Sequence, residues 1–317
     1  MASTRDAVAE QATAPDMPLI ELDESAFHAW RIQPVRHRLS EHPLLQPSAL
    51  VGLGERLEAR GSIRTHGNDA TAGTPFGEAP KLHPNRQSAA ATLAAIGAAN
   101  AWLSLLNVQT DSVYRTLVGE TLDNIQPLVE RHDPGMCHRA GWIFVSSPRT
   151  ITPFHFDKEH NFILQIHGQK RIYVWDPDDV VVASEHARDR FHHRHERDLL
   201  RWRDEFRERA HVFDLEPGQG AYMPSTSPHM VENGEEPSVT ASFTYYTDAT
   251  RRNALLHKAH ALMREIGIAP AAVGNRPGFD AVTHAGIAAM VRSRRFVKAL
   301  IGRGEQATPA RFAHVMP

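Results

Sequence analysis

Apolar positions along the chain fall into three successive regimes. Over residues 48–60 they recur at Leu50, Leu53 and Leu57, the three-to-four spacing of one packed helix face. Residues 88–106 carry Ala, Leu, Ile and Trp at similar spacing and predict a second helix; 111–131 predict a third, interrupted at Pro127, whose ring lacks the N–H that a helical ladder needs. The intervening 61–84 is rich in Gly, Thr, Pro and Asn and is expected to be a long loop, either beside a substrate entrance or on the surface. From Met136 the pattern changes to short β-rich runs at 142–145, 161–167, 171–175, 211–215, 220–223 and 239–246, bounded by Gly, Pro and Asp. Runs of this kind predict an antiparallel barrel or sandwich. After Tyr246 helical spacing returns, with one apolar face at Leu255, Ala259, Leu262 and Ile266 and another at Ile287, Met290, Val291 and Phe296.

These regimes divide the chain into a disordered tail (1–18), a mostly helical N-terminal flank (19–135), a barrel (136–248) and C-terminal helices (249–317). Inside the barrel, 185–209 is dense in His, Arg, Asp and Glu and reads as a charged helical insertion, expected on the solvated surface rather than gripping an acidic partner. The apolar faces of the C-terminal helices need cover, so residues 250–301 are expected to mediate a homodimer.

Composition narrows the classes further. Of 317 residues, 41% are hydrophobic and 23% charged, the proportions of a soluble globular chain. A formal net charge of −2 gives no basic field, so a nucleic-acid partner is not expected. The single Cys137 excludes a disulfide framework or a Cys-rich zinc site, and neither an export signal nor a membrane span is apparent; a cytoplasmic location is the expectation. Histidine is abundant at 20 residues, most of them expected on the surface because only a few can share one metal.

The chemistry concentrates in one pair and one distant partner. In a strand, side chains two apart share a face, so His155 and Asp157 would point to one interior point. Downstream, residues 215–224 read as strand, tight turn and strand, with His229 five residues further on, and a barrel can bring that histidine opposite the pair. Two imidazoles and one carboxylate form the facial triad that suits Fe(II) and leave three adjacent positions open, whereas a structural zinc site would fill them with protein ligands.

The block from Thr152 to Arg171, Thr-Pro-Phe-His155-Phe-Asp157-Lys-Glu-His-Asn161-Phe-Ile-Leu-Gln-Ile-His-Gly168-Gln-Lys170-Arg171, resembles the jumonji-C and cupin-8 family of Fe(II)- and 2-oxoglutarate-dependent oxygenases, which includes the asparaginyl hydroxylase of hypoxia-inducible factor. That family places a threonine three residues before the first ligand, an asparagine four after the aspartate, and a Gly-x-Lys-Arg after that; the Pro-Gly…Pro…His229 segment is similar to its second ligand strand. The resemblance implies a mainly β core with α flanks, a double-stranded β-helix (jelly-roll or cupin barrel) braced by N- and C-terminal helices. It implies His155, Asp157 and His229 as metal ligands, with Lys170 holding the far carboxylate of 2-oxoglutarate and Thr152 and Asn161 beside it. Strand phase agrees, since Lys170, Ile172 and Val174 alternate with Arg171, Tyr173 and Trp175, so Lys170 can face inward. Two positions depart from the pattern: Ser242 stands near an asparagine of the hydroxylase, and His160 adds a nearby histidine, expected to point outward or to sit behind the ligands.

The activity implied is hydroxylation, or demethylation through hydroxylation, of a peptide, amino acid or small metabolite, using Fe(II), 2-oxoglutarate and O2. Halogenation is disfavoured because Asp157 occupies the position a halide would need. The alternative is a cupin-like sensor or regulatory module that keeps the metal without turnover.

Overall fold

The computed structural model describes residues 18–301, with side chains through Ser293. Residues 1–17 of the expected tail and the side chain of Phe296 lie outside the described residues. The chain begins with β1 (Ile20–Glu21) and β2 (Gln33–His37), then α1 (Pro47–Glu58), β3 (Ile63–Gly67), the short helices α2 (Ala79–Leu82) and α3 (Ala89–Ala94), β4 (Ala101–Leu105) and α4 (Tyr114–His132). The strand-rich stretch follows as β5 (Cys137–Ser146), β6 (Ile151–His155), β7 (His160–His167) and β8 (Lys170–Val174). Then come α5 (Glu185–Arg194), β9 (His211–Leu215), β10 (Gln219–Met223), β11 (His229–Asn233) and β12 (Ser238–Tyr246), and the described chain closes with α6 (Asp248–Glu265) and α7 (Pro277–Ile301).

Two antiparallel sheets form the core, one of eight strands in the order β1-β2-β10-β7-β12-β5-β4-β3 and one of four in the order β6-β11-β8-β9. Both faces of the larger sheet are covered, so β7 is buried along nearly its whole length. Ile163, Ala221 and Met223 meet Ile172, Val174 and Val231 of the smaller sheet, while Phe162, Leu164 and Phe243 join the core that includes Leu50, Leu53 and Leu57 of α1 and Leu117 and Leu122 of α4. This is the sandwich with helical flanks that the period-two runs predict. No helix among the described residues is long and apolar enough to cross a membrane.

Several local expectations are corrected. Residues 88–106 are not one helix: α3 ends at Ala94, Asn100 turns with φ of 50°, and Ala101–Leu105 forms β4. β4 lies between β3 and β5 and is buried at every position, so it shows no alternation that would identify it. The 61–84 segment is not a plain loop but contains β3, the edge strand of the large sheet, and α2. α4 runs through Pro127 without a break; Pro127 and Asp123, whose carbonyl loses its partner, both face solvent, where water can replace the missing bond. In α6 the buried positions are Thr250, Ala254, Leu256, His257, Ala259, His260 and Ala261, while Ile266 just past its end is 75% exposed.

Insertion 185–209 is helical only at α5 and a 3-10 turn at Asp204–Arg209, and it is not solvated throughout. Arg188, Asp189, Phe191 and His192 are buried. Asp189 accepts from His257 Nδ1 at 2.8 Å and pairs with Arg264 Nε at 2.7 Å, and His192 stacks on His257 with centroids 4.8 Å apart. The Asp189 carboxylate faces α6 rather than water, which no local pattern in the insertion reveals.

Candidate metal centre and its cavity

Strands β6 and β11 are hydrogen-bonded neighbours, and His155 and His229 are direct cross-strand partners. Both side chains are buried. Asp157 lies two residues beyond His155, and its Oδ2 stands 3.6 Å from His155 Nε2 and 3.9 Å from His229 Nε2. One donor atom from each of the three lies within 4.8 Å of the others, a spacing that fits a single ion between them.

The imidazoles are oriented from behind. His155 Nδ1 donates to the Pro153 carbonyl at 2.7 Å and His229 Nδ1 to the Ser227 carbonyl at 3.1 Å. Because a carbonyl only accepts, the proton sits on Nδ1, which leaves Nε2 as the ring atom that faces the gap and can serve a metal. Burial, reinforced by His155, pushes the His229 pKa down to about 3, which keeps that ring neutral. Burial alone would raise the Asp157 carboxyl, but His155, Arg197 and His229 outweigh it and hold the group well below the usual carboxylate range. Two imidazole nitrogens with an ionised oxygen fit a divalent ion with open positions, and Fe(II) suits this donor set.

Lys170 begins β8, after a turn in which Gly168 has a φ of 68° and a Cβ would come within 2.3 Å of the Pro237 carbonyl oxygen. Its side chain is buried, while the next residue, Arg171, points out and pairs with Asp214 at 2.6 Å. Burial pushes the Lys170 pKa down to about 7, and no acidic or hydrogen-bonding partner meets it among the described residues. Thr152, Asn161 and Lys170 line the same cavity of about 990 Å³ as the triad. Thr152 and Lys170 lie on the strands either side of β11, opposite Val231 and Asn233. Asn161 Oδ1 accepts from Ser242 Oγ at 2.6 Å, so the departure at Ser242 lies within the cavity wall.

His160 stays out of this group. It faces away from the cavity into the buried layer beneath the N-terminal segment, with Nδ1 2.9 Å from Tyr222 Oη and Nε2 3.3 Å from Asp133. The side chain points away from the metal and is fully buried.

Four residues at the centre are not identified by the sequence reading. Arg197, beyond α5, pairs its Nη2 with Asp157 Oδ1 at 3.0 Å and thereby fixes the carboxylate from the side opposite the histidines. Phe76 stacks on His155, and Arg64 lies over Phe76 with its carbon 4.0 Å from the ring centroid. Lys158 is buried, its pKa pushed down to about 8 by burial and then by Lys258. Adjacency to Asp157 is a signal that finds Lys158; Arg64, Phe76 and Arg197 lie in segments read as loop and solvated helix, with no such signal.

A family model described as a cupin-like domain matches residues 56–251. No curated protein sequence matches the chain. Similar solved structures include Escherichia coli YcfD, 16% identical over 84% of this chain and 66% of that one, with a TM-score of 0.45. A further YcfD structure, described as a ribosomal oxygenase in complex with cobalt and 2-oxoglutarate, is 17% identical over 88% of this chain and 66% of its own, with a TM-score of 0.41. DMSP lyase DddQ from Ruegeria pomeroyi DSS-3 is 13% identical over 34% of this chain and 38% of that one, with a TM-score of 0.23. The chain thus spans just under two thirds of the length of the YcfD structures.

Proposed function

The chain belongs to the cupin-like domain family, and from that premise we propose that it is an Fe(II)- and 2-oxoglutarate-dependent dioxygenase acting as a hydroxylase. The observation that carries this reading is Lys170, a buried amine with no anionic partner among the described residues, in the cavity of a His-Asp-His triad. Burying an unpaired charge is costly, and a carboxylate ligand offsets the cost. A metal-binding scaffold without turnover has no use for such a group.

His155, Asp157 and His229 would hold the iron, Lys170 the far carboxylate of 2-oxoglutarate, and Thr152 and Asn161 polar contacts to the cosubstrate. Iron in this setting supplies the redox chemistry that couples oxidative decarboxylation of 2-oxoglutarate, to succinate and CO2, with transfer of an oxygen atom from O2 into a substrate C–H bond. The protein's own part is positional: Nδ1 bonds orient the imidazoles, Arg197 fixes the carboxylate, and Phe76 covers one face of His155. The substrate is a peptide, an amino acid or a small metabolite, and the cytoplasm is the expected compartment.

The test is direct. Titrating 2-oxoglutarate into the anaerobic Fe(II) protein should give a metal-to-ligand absorption band, and admitting O2 should yield succinate even without substrate. Replacing His155, Asp157 or His229 by Ala should abolish both along with bound iron. Absence of the band and of succinate in iron-loaded wild-type protein would overturn the reading. We also infer a homodimer through residues 250–301, because α7 leaves Phe279, Val282 and Met290 exposed by 40%, 75% and 45%. A monomer in sedimentation at micromolar concentration would contradict it.

A further inference from the structure

Three cations and two aromatic rings alternate along one wall of the cavity. The Arg64 guanidinium lies 4.0 Å from the Phe76 ring centroid, and that of Arg197 lies 5.4 Å from the same ring and 4.3 Å from Phe191. Lys158 Nζ follows, 5.0 Å from Phe191. The row therefore reads Arg64, Phe76, Arg197, Phe191, Lys158, drawn from β3, the stretch after it, α5, the segment beyond α5 and the residue next to Asp157.

Among the described residues only the middle cation has a carboxylate partner within 4 Å, and that partner is Asp157. Arg64 uses Nη2 on the Phe76 carbonyl, but its Nε is buried with no hydrogen-bond partner. Lys158 is 8% exposed and forms no ion pair within 4 Å among the described residues. Fe(II) and the 2-oxoglutarate dianion cancel in charge, as do Lys170 and Asp157. The row then leaves the cavity positive even when Glu159, which accepts from Tyr246 Oη at 2.8 Å, is counted against it. Aromatic rings pack against the cations and hold them in place, Arg64 Nε and Lys158 Nζ meet no hydrogen-bond partner among the described residues, and guanidinium groups match carboxylate and phosphate oxygens.

Building on the oxygenase reading, we infer that the substrate carries an oxyanion group, a carboxylate or a phosphate, and that Arg64 and Lys158 bind it. These two side chains are then specificity determinants: they select substrates by charge, and neither is a ligand of the metal or the holder of the cosubstrate's far carboxylate. The net charge of −2 on the whole chain gives no hint of this, because the positive groups converge only in the folded cavity.

The experiment uses full-length protein loaded with Mn(II) and saturated with N-oxalylglycine, a 2-oxoglutarate isostere, so that Lys170 is already engaged. Calorimetry then compares two matched pairs of probes: N-acetyl-glutamate amide with neutral N-acetyl-glutamine amide, and N-acetyl-O-phosphoserine amide with N-acetyl-serine amide. At least one charged probe should bind about tenfold or more tighter than its neutral partner, and the pair that shows the larger ratio identifies the oxyanion. Arg64→Gln and Lys158→Gln should each collapse that ratio, while Arg64→Lys and Lys158→Arg should retain most of it, which separates lost charge from lost packing around Phe76. Equal affinity within both pairs, no heat from any probe, or a ratio indifferent to both glutamine substitutions would overturn the inference. Failure of N-oxalylglycine itself to bind would instead overturn the oxygenase reading, and repeating the pairs without it keeps the two outcomes apart.

Discussion

Phe76 lies flat against His155, with ring centroids 3.7 Å apart and planes 2° from parallel. A residue from the stretch between β3 and α2 thereby closes one face of a metal-ligand candidate, and Arg64 anchors it by bonding the Phe76 carbonyl and covering the ring. The backbone bond at Nδ1 fixes where the imidazole sits, and the stacked ring limits its tilt.

Phe76→Ala should therefore weaken metal binding without unfolding the protein. Losing a group that orients a ligand from behind typically costs about 10-fold to 100-fold in affinity. Competition against a fluorescent chelator measures it, with circular dichroism as the control for fold. An unchanged dissociation constant would mean that the Pro153 bond alone is enough.

Lys170→Met keeps the apolar stem and removes the ammonium, which should cost about 3–5 kcal/mol, or at least about a hundredfold in 2-oxoglutarate affinity. Wild-type protein should also show a pH dependence of fixed sign. With the Lys170 pKa near 7 in the free protein, the ammonium that binds the dianion is depleted above that pH. Affinity should then fall about fivefold between pH 7 and pH 8. In Lys170→Met the profile should be flat over the same range, as followed by the absorption band; a matching slope in both proteins would assign the titration elsewhere.

His66 offers a test of stability away from the metal. It is buried in β3 and stacks on Trp102 with centroids 4.8 Å apart, and burial pushes its pKa down to about 4, opposed by a bond to the Gly67 carbonyl. The unfolded chain, titrating near 6.5, binds the proton that the folded one refuses, so this contribution is complete above 6.5 and is lost as pH falls toward 4. Between pH 7 and pH 5 the loss is about 2 kcal/mol. Urea unfolding of His66→Leu should show a slope with pH shallower by that amount, whatever the substitution does to stability at pH 7.

Asp189→Ala should destabilise the chain by about 3–5 kcal/mol, because Asp189 is fully buried and both His257 and Arg264 lose their shared carboxylate. The damage should centre on α5, which packs on α6 through this group, and limited proteolysis should cut first within 185–209. Cleavage as slow as in wild type would show that Phe191 and its apolar neighbours hold the segment without the ion pairs.

The block around His155 was legible because its signals are short-range. Alternation put Lys170 inside and Arg171 outside, and the structure buries the first while the second pairs with Asp214 on the surface. Where partners lie far along the chain, the same reasoning misjudged exposure. Asp189 looked like a solvated charge because its partners at 257 and 264 are 68 and 75 residues away. β3 carries no strand signal for a related reason: its sequence, Ile-Arg-Thr-His-Gly, breaks the apolar pattern because Arg64 and Thr65 line the cavity. β4 failed in the opposite way, since a strand buried on both faces has nothing to alternate.

The cross-strand pairing of His155 with His229 makes the centre's tolerance of insertions and deletions discontinuous. Adding or removing one residue within β6 or β11 turns a ligand to the wrong face, and two residues displace it by roughly 7 Å along the strand. Length changes in the 175–210 connection between β8 and β9 leave that pairing untouched, because both imidazoles are spaced by neighbouring strands and not by loops. Lineages can therefore lengthen, shorten or exchange the segment bearing Phe191 and Arg197, and so remodel the cavity wall, while the two histidines stay in register.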